Sequence, residues 1–186
     1  MRVIAGTARS IKLKTVESEH TRPTLDQVKE AMFSMLMPYL PGARVLDLFA
    51  GSGALGIEAL SRGAAKCVFC DSDRACCAVI KENLKNTGLS DRAEIICKDY
   101  ARALKDFDEY TDFDIILLDP PYRKGLEVEA IKLALKLYLP AEGGVIVAEH
   151  AADDILPEKI RSFRLIKDKK YGTVGVAVYE EEREDE

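Results

Sequence analysis

Residues 44–56 read Arg-Val-Leu-Asp-Leu-Phe-Ala-Gly-Ser-Gly-Ala-Leu-Gly, and this stretch decides the fold class. Its apolar first half predicts a buried strand. Its glycines, Gly51, Gly53 and Gly56, match the pattern G-x-G-x-x-G ahead of a predicted helix at residues 54–62. Glycine allows a tight turn and a close approach of a ligand to the backbone, and the N–H groups at a helix start favour an anionic group. The stretch therefore predicts a cofactor loop, for a dinucleotide or for another adenosine cofactor.

A second predicted strand, residues 66–70, ends at Asp71, twenty positions after Gly51. In dinucleotide-binding folds an acidic residue at about this distance binds the ribose hydroxyls. The same strand contains Cys67 and Cys70, which lie outside any predicted loop. We interpret them as buried thiols in a reducing compartment, and we predict no metal site and no disulfide. The same interpretation applies to the remaining cysteines, Cys76, Cys77 and Cys97.

Apolar strands alternate with helices through the middle of the chain. The predicted strands are residues 44–48, 66–70, 94–98, 115–118 and 144–149, and the helices between them include residues 54–62, 73–87 and 126–139. Such alternation predicts a parallel sheet with helices on both faces.

Both ends of the chain depart from this alternation. Residues 163–167 and 174–179 follow a predicted helix at residues 153–160, and their short connection predicts an antiparallel hairpin. At the other end, residues 1–20 predict a small hairpin, and Thr24 with Gln27 forms a capping box at the start of a helix. The predicted fold is therefore α/β, of the Rossmann-like class I type found in S-adenosylmethionine-dependent methyltransferases, with a mostly parallel seven-stranded sheet.

Length and charge set broad limits. The 186 residues predict one domain with an N-terminal extension at residues 1–41, a main domain at residues 42–180, and an acidic disordered tail at residues 181–186. The net charge is −5, but residues 180–186 hold six acids and one arginine, and the rest has equal numbers of basic and acidic residues. The acidity therefore does not exclude a nucleic-acid partner. The start has no apolar signal region, so we expect a cytoplasmic protein, and its size suggests a monomer.

The predicted strand at residues 115–118 runs directly into Asp119-Pro120-Pro121-Tyr122. Proline has no backbone N–H and a fixed φ, so nearby carbonyl groups are held in defined directions. A carboxylate and a fixed carbonyl can accept both hydrogens of an exocyclic amino group, and tyrosine offers a face on which a base can stack. The motif predicts a catalytic site acting on an amino nitrogen.

The chain resembles the RsmD-type 16S rRNA (guanine-N2)-methyltransferase family in several segments at once. These are residues 47–56, residues 58–64 (Glu-Ala-Leu-Ser-Arg-Gly-Ala), Thr-Arg-Pro-Thr at residues 21–24, Asp-Pro-Pro-Tyr at residues 119–122, and Lys-Tyr-Gly at residues 170–172. The resemblance covers residues 1–180 and implies methyl transfer to a guanine N2 amino group of 16S ribosomal RNA.

The chain departs from the family pattern at two places. The family commonly has glutamate where this chain has Asp71, and residues 8–13 lack the glycine of an early basic element. These departures concern the ribose contact and the detailed RNA contacts.

The resemblance implies roles for individual residues. Asp47 would orient the methionine amino group of S-adenosylmethionine or an ordered water. Asp71 would bind the ribose hydroxyls, and Asp99 would bind the adenine amino group. The cofactor-binding residues are Arg22, Thr24, Asp47, Phe49, Ala50, Gly51, Gly53, Asp71, Ser72, Asp99 and Tyr100. The catalytic residues are Asp119, Pro120, Pro121 and Tyr122, and the phosphate contacts are Arg2, Arg9, Lys12, Lys14, Arg123 and Lys124. The implied partner is ribosomal RNA, free or within a partly or fully assembled small subunit.

Three other functions remain open on the sequence. A nicotinamide oxidoreductase could use the same glycine loop and Asp71, a DNA adenine or cytosine amino-methyltransferase can share the Pro-Pro-aromatic element, and an inactive RNA-binding protein is a third possibility. We interpret Glu149 and His150, which follow the fifth strand, as a sheet-edge pair rather than as acid–base residues.

Overall fold

A mixed sheet forms the centre of this computed structural model, which describes residues 1–16 and 25–183. Its strands are β1 (Arg44–Asp47), β2 (Lys66–Asp71), β3 (Ala93–Cys97), β4 (Phe113–Leu118), β5 (Pro140–Ala151), β6 (Lys159–Ile160), β7 (Phe163–Tyr171) and β8 (Val174–Glu181). Their order in the sheet is β3-β2-β1-β4-β5-β8-β7-β6. The first five strands are parallel to one another, and β8 joins β5 antiparallel. This arrangement confirms the predicted Rossmann-like methyltransferase fold.

Helices cover both faces of the sheet, because alternate residues of a strand point to opposite sides. The helices are α1 (Leu25–Leu36), α2 (Ala54–Ser61), α3 (Arg74–Thr87), α4 (Tyr100–Asp106) and α5 (Leu126–Lys136). One buried cluster joins α1, α2 and α3 to residues such as Ile115 and Val147, and the other joins α4 and α5 to residues such as Ile116 and Ile146. Within the described residues, no helix is long and apolar enough to cross a membrane.

Local capping signals set the helix boundaries close to the predicted ones. The Asp73 side chain accepts a hydrogen bond from the Ala75 N–H at 2.8 Å and so begins α3. Gly88 ends that helix in the left-handed conformation, with φ of 71°. Gly63 follows α2 with φ of 114°, as the predicted helix at residues 54–62 requires.

The cysteines lie in the elements predicted for them. Cys67 and Cys70 are buried in β2 and Cys76 is buried in α3. Cys77 of α3 is partly buried and Cys97 of β3 is exposed, so the interpretation as a buried thiol is wrong for Cys97. Burial raises the pKa of Cys70 to about 12, so this thiol stays protonated at neutral pH.

Three expectations about the second half of the chain are wrong. Residues 153–160 do not form the predicted helix. They form a turn and an extended segment that ends in the two-residue strand β6, which pairs with β7. The sheet of the described residues therefore has eight strands instead of the predicted seven. Long-range bonds hold this segment extended, since the Tyr179 hydroxyl donates to the Pro157 carbonyl at 2.7 Å and the Leu165 N–H donates to the Glu158 carbonyl at 2.9 Å. In addition, β5 lies between β4 and β8, so Glu149 and His150 are not on an edge strand of the sheet.

The third correction concerns the acidic tail. Glu181 belongs to β8, and the Glu182 carboxylate accepts hydrogen bonds from Lys159 and Arg164, the latter from Nε at 3.2 Å. The sheet therefore extends past the predicted boundary at residue 180. The Glu182 carboxylate contributes to this by binding basic side chains of β6 and β7. Residues 184–186 lie outside the described residues.

The N-terminal arm, residues 1–16, folds back on itself and docks on α2. Arg2 and Lys12 form an antiparallel bridge, in agreement with the predicted hairpin. The Glu58 carboxylate accepts from the Ile4 N–H at 3.0 Å and from the Ala5 N–H at 3.1 Å, which ties the arm to the main domain. The predicted capping box at Thr24 lies outside the described residues, and the boundary at residue 41 stays a prediction.

Candidate active site

A cavity of about 720 Å³ opens at the edge of the sheet where the parallel strands end. Its volume lies within the range of roughly 300–1,000 Å³ typical of small-molecule sites. The turn after β1 and the turn after β4 both line it, because these two strands are neighbours in parallel register. The lining residues are Met1, Lys29, Leu48, Phe49, Ala50, Gly51, Ser52, Ala54, Leu55, Asp71, Ser72, Asp73, Cys76, Lys98, Asp99, Tyr100, Asp119, Pro120, Pro121, Tyr122, Leu126 and Glu149.

The turn after β1 is held in place by the end of β2. Gly51 adopts φ of 55°, and its N–H donates to Asp71 Oδ2 at 2.8 Å. The other carboxylate oxygen, Asp71 Oδ1, accepts from the Asp73 N–H at 2.9 Å. Because each carboxylate oxygen has two lone pairs, Asp71 can still accept bonds from a ligand in the cavity. These bonds fix the direction of the Asp71 carboxylate beside the glycine turn.

Two residues predicted to contact the cofactor lie behind this turn instead of lining the cavity. Asp47 is 1% exposed, and its Oδ2 accepts from the Gly56 N–H at 2.9 Å, near the start of α2. Gly53 precedes α2 in the left-handed conformation, with φ of 82°. A Cβ on Gly56 would lie 2.3 Å from the Phe69 ring, so this glycine allows α2 to pack closely on β2. All three residues therefore shape the turn from behind.

The far end of the cavity combines a carboxylate with two aromatic rings. The Asp99 side chain begins α4 by accepting from the Arg102 N–H at 3.2 Å. The rings of Phe49 and Tyr100 lie 5.3 Å apart between centroids. Partial burial, followed by the nearby Glu129 carboxylate, raises the pKa of Tyr100. An aromatic wall beside a carboxylate suits a heterocycle that carries an amino group.

The turn after β4 places Asp119, Pro120, Pro121 and Tyr122 on the opposite side of the cavity. Pro120 is buried, while Pro121 is exposed. The Tyr122 hydroxyl donates to Glu149 Oε1 at 2.7 Å. The two prolines remove two N–H donors from the turn, so its backbone presents carbonyl groups.

A buried ion pair closes the wall next to the N-terminal arm. Lys29 and Glu58 are 4% and 0% exposed, and Lys29 Nζ lies 3.4 Å from Glu58 Oε2. Lys29 Nζ also donates to the Arg2 carbonyl at 2.7 Å. Burial lowers the pKa of Lys29, although the Glu58 carboxylate acts in the opposite direction. The sequence reasoning missed Lys29. The available indication was a lysine next to the apolar residues of α1.

The residues predicted to contact RNA are exposed but spread over two surfaces. Arg2, Arg9, Lys12 and Lys14 lie on the N-terminal arm, where Lys14 pairs with Glu82 at 2.5 Å. Arg123 and Lys124 follow Tyr122 at the rim of the cavity, and Arg123 lies 3.4 Å from Asp153. Arg22 and Thr24, predicted to bind the cofactor, lie outside the described residues.

Glu149 is another of the cavity residues that the sequence reasoning left out. It was interpreted with His150 as a sheet-edge pair, but it is 4% exposed and lines the cavity. The sequence did contain an indication of this position. Glu149 ends the fifth predicted parallel strand, at residues 144–149, and parallel strands end at the same edge of the sheet as the one before Asp119. His150 belongs elsewhere: its Nε2 lies 2.8 Å from Asp168 Oδ1. In the described part of the chain, no group of His, Cys, Asp and Glu side chains is arranged to hold a metal ion.

The fold and the two turns that share this cavity define a class I methyltransferase. A solved structure from Escherichia coli, described as a candidate methyltransferase, superposes with a TM-score of 0.87 at 35% identity over 98% of each chain. Membership of this class excludes the alternative that the protein is a nicotinamide oxidoreductase.

Sequence comparisons then give the family. The family model described as conserved hypothetical protein 95 matches residues 1–180. "Ribosomal RNA small subunit methyltransferase D" of Haemophilus influenzae is 38% identical over 183 residues, covering 97% of this chain and 93% of that protein. A candidate rRNA methyltransferase of Bacillus subtilis, YlbH, is 43% identical over 180 residues, covering 96% of this chain and 98% of that protein. The chain belongs to this family of RsmD-type methyltransferases, which confirms the resemblance found in its sequence motifs.

Proposed function

We propose that the protein transfers a methyl group from S-adenosylmethionine to the exocyclic N2 amino group of a guanine in 16S ribosomal RNA. The observation that carries this proposal is the cavity shared by Gly51 and Asp71 on one side and Asp119 and Tyr122 on the other. The names of the relatives, which specify ribosomal RNA, support the substrate class.

The described residues fit this cofactor. Asp71, fixed by two backbone N–H groups, would accept bonds from the ribose hydroxyls, and Gly51 lets the methionine part approach the backbone. Asp99 and the Phe49–Tyr100 wall would hold the adenine. Asp47 acts indirectly, by holding the start of α2 behind the glycine turn. When bound, the cofactor supplies a methyl group that its sulfonium already activates, so the reaction needs no metal.

The turn after β4 provides the acceptor half of the reaction. The lone pair of a guanine N2 is delocalised into the ring, and the nitrogen must become more tetrahedral before it can attack. The Asp119 carboxylate and the Pro120 carbonyl would accept the two amino hydrogens and favour that geometry through preorganised electrostatics. Asp119 is also placed to take up the proton that the amino group loses.

Tyr122 would hold the target base. Its ring lines the cavity beside Asp119 and packs on the core at its other side. Stacking on an aromatic side chain contributes about 1–3 kcal/mol per base, while taking a base out of its stack costs a few kcal/mol. The stacking energy and the cost of extrusion are similar in size, so the site can accept an extruded guanine, especially from a loop.

The exposed basic residues would contact phosphates at the rim of the site. Arg123 and Lys124 directly follow the catalytic turn, and Arg2, Arg9 and Lys12 lie on the arm that reaches the cavity through Met1. We propose that the protein acts as a monomer on this RNA, free or in a partly or fully assembled subunit.

Nucleoside mass spectrometry tests the proposed substrate. Small-subunit RNA from cells that lack this gene should have lost one N2-methylguanosine, and purified protein with S-adenosylmethionine should restore it. Asp119→Ala should fail to restore it. An unchanged N2-methylguanosine content at every small-subunit site would contradict the proposal, and methylation of a DNA amino group instead would support the DNA methyltransferase.

A further inference from the structure

We propose that Glu149 is a positioning residue for the methyl transfer, which anchors the Tyr122 ring against the target base. This inference rests on the proposed function and adds a residue outside the Asp-Pro-Pro-Tyr motif. Glu149 comes from β5, whereas Tyr122 follows β4, so the contact joins two neighbouring strands at the reactive edge of the sheet.

The contact is a hydrogen bond to a buried carboxylate. The Tyr122 hydroxyl donates to Glu149 Oε1 at 2.7 Å, and Glu149 is 4% exposed. This distance is the usual one for an O–H···O bond. Low exposure strengthens the bond, because water does not compete with it.

Glu149 belongs to an interior strand of the sheet that is paired on both sides. It pairs with Val176 of β8, and its strand also pairs with β4, where Leu118 lies opposite Ala148. Asp119 and Glu149 each come directly after this pair, Asp119 beyond the end of β4 and Glu149 still within β5. The carboxylate is therefore fixed relative to the group that would accept the guanine amino hydrogens.

Tyr122, in contrast, sits in a turn with few buried neighbours in sequence. Pro121, Arg123, Lys124 and Gly125 are exposed, and Arg123 and Gly125 have φ of 62° and 65°. The ring packs on the core, and the bond to Glu149 also ties its hydroxyl end to β5. This bond limits movement of the whole ring away from the cavity and so holds the position at which the base would stack.

Burial of a carboxylate is costly, and its cost is reduced when the group is hydrogen-bonded. The neighbours of Glu149 in β5 include Val145, Ile146 and Val147, which are fully buried and apolar. The feature that an aliphatic residue lacks is the acceptor for the Tyr122 hydroxyl.

A double-mutant cycle tests the inference. The variants are Tyr122→Phe, Glu149→Leu, their combination, and Glu149→Gln, which keeps an acceptor. We expect Tyr122→Phe and Glu149→Leu each to lower the single-turnover rate about 10- to 100-fold, and the combination to lower it no further. Glu149→Gln should lose less than about threefold, because its amide oxygen can accept the same bond. Affinity for S-adenosylhomocysteine should stay unchanged in all four variants.

Tyr179→Phe is the matched control. Its hydroxyl also donates a 2.7 Å bond, to the Pro157 carbonyl, but it lies away from the cavity. It should lower thermal stability and leave the rate unchanged. If Glu149→Leu slows the reaction equally in the wild-type and Tyr122→Phe backgrounds, Glu149 acts independently of Tyr122 and the inference is wrong. If Tyr122→Phe alone reacts at the wild-type rate, the inference is also wrong.

Fluorine NMR of protein labelled with 3-fluorotyrosine separates this inference from the proposed function, because it needs no substrate. The Tyr122 signal is identified by its absence in Tyr122→Phe. It should shift or broaden in Glu149→Leu and stay close to its wild-type position in Glu149→Gln. An unchanged signal in Glu149→Leu would overturn the anchor even if methylation occurs. A shifted signal together with no methylation of RNA by wild-type protein would support the anchor and reject the proposed substrate.

Discussion

The turns after β1 and β4 end neighbouring strands and line the same cavity, yet they present opposite backbone chemistry. The first contains glycines and offers N–H groups, one of which Asp71 already fixes. The second contains two prolines, lacks their N–H groups, and offers a carbonyl beside the Asp119 carboxylate. The difference supports the proposed division of labour, in which the first turn would bind the cofactor and the second would hold the amino group that receives the methyl.

The largest effect is expected from a substitution in the second turn. Asp119→Ala removes an acceptor aimed at the amino hydrogens, and it should lower the single-turnover rate about 10²- to 10³-fold, as loss of a preorganised electrostatic contact does. Affinity for S-adenosylhomocysteine, measured by calorimetry, should stay close to wild type. Asp119→Asn keeps one acceptor oxygen and should give an intermediate rate. Wild-type turnover in Asp119→Ala would reject the role of this turn.

The next largest effect is expected from a substitution that removes the support of the first turn. Asp71→Ala removes the acceptor for the Gly51 and Asp73 N–H groups and for the ribose. Bonds to charged groups contribute about 1.5–3 kcal/mol, so affinity for S-adenosylhomocysteine should fall about 10- to 100-fold. At saturating cofactor the rate should recover most of its wild-type value. Asp71→Glu is the control and should bind within a few-fold of wild type. A lowered rate with unchanged affinity would contradict the division between the turns.

Packing behind the first turn gives a smaller effect. A Cβ at Gly56 would lie 2.3 Å from the Phe69 ring and 2.7 Å from Cys67 Sγ, both in the core. Gly56→Ala should therefore lower the free energy of unfolding by about 1–3 kcal/mol, measured by urea denaturation, despite the better helix propensity of alanine. The loss should be accompanied by weaker cofactor binding, because α2 carries the glycine turn.

Gly88→Ala is the matched control for Gly56→Ala. It also replaces a glycine next to a helix, but nothing lies within 4 Å of its Cβ position and only its φ of 71° opposes the change. It should destabilise the protein without altering cofactor affinity. Equal losses of affinity in both variants would show that the affinity change reports general instability.

The smallest effect lies far from both turns. Hydrogen bonds from Lys159, and then from Arg164, lower the pKa of Glu182. A carboxylate with a lowered folded-state pKa stabilises the fold above its unfolded pKa, and this stabilisation disappears as the pH falls through the folded value. Glu182→Gln should therefore melt slightly lower than wild type at pH 7 and equally at strongly acidic pH. Because the pair is exposed, high salt should reduce the difference, and a salt-independent difference would contradict its electrostatic origin.

Local signals in the sequence were sufficient for most elements. The cap at Asp73 and the glycines at positions 63 and 88 set helix ends that the structure shares. The G-x-G-x-x-G stretch and the Asp-Pro-Pro-Tyr motif follow strands that the topology places side by side. The parallel order alone then predicts that both turns meet at one edge.

Other features depend on partners distant in sequence and had no local signal. Residues 153–160 look helical, but the Tyr179 hydroxyl and the Leu165 N–H hold them extended. β7 continues through Lys167, Lys169 and Lys170, which are exposed, because its backbone pairs with β8 as far as Tyr171. The Glu149–Tyr122 contact joins residues 27 positions apart, and no motif spans that separation.

The most direct test of the shared cavity is a calorimetric measurement with a bisubstrate analogue, in which the cofactor's methionyl-adenosine part is linked covalently to guanosine N2. If both turns serve one reaction, the analogue should bind at least about tenfold more tightly than S-adenosylhomocysteine, since the second half binds at high effective concentration. Asp119→Ala should remove that advantage. Binding no tighter than S-adenosylhomocysteine, or an equal gain for an analogue linked to adenosine N6, would contradict a guanine-N2 site between the two turns.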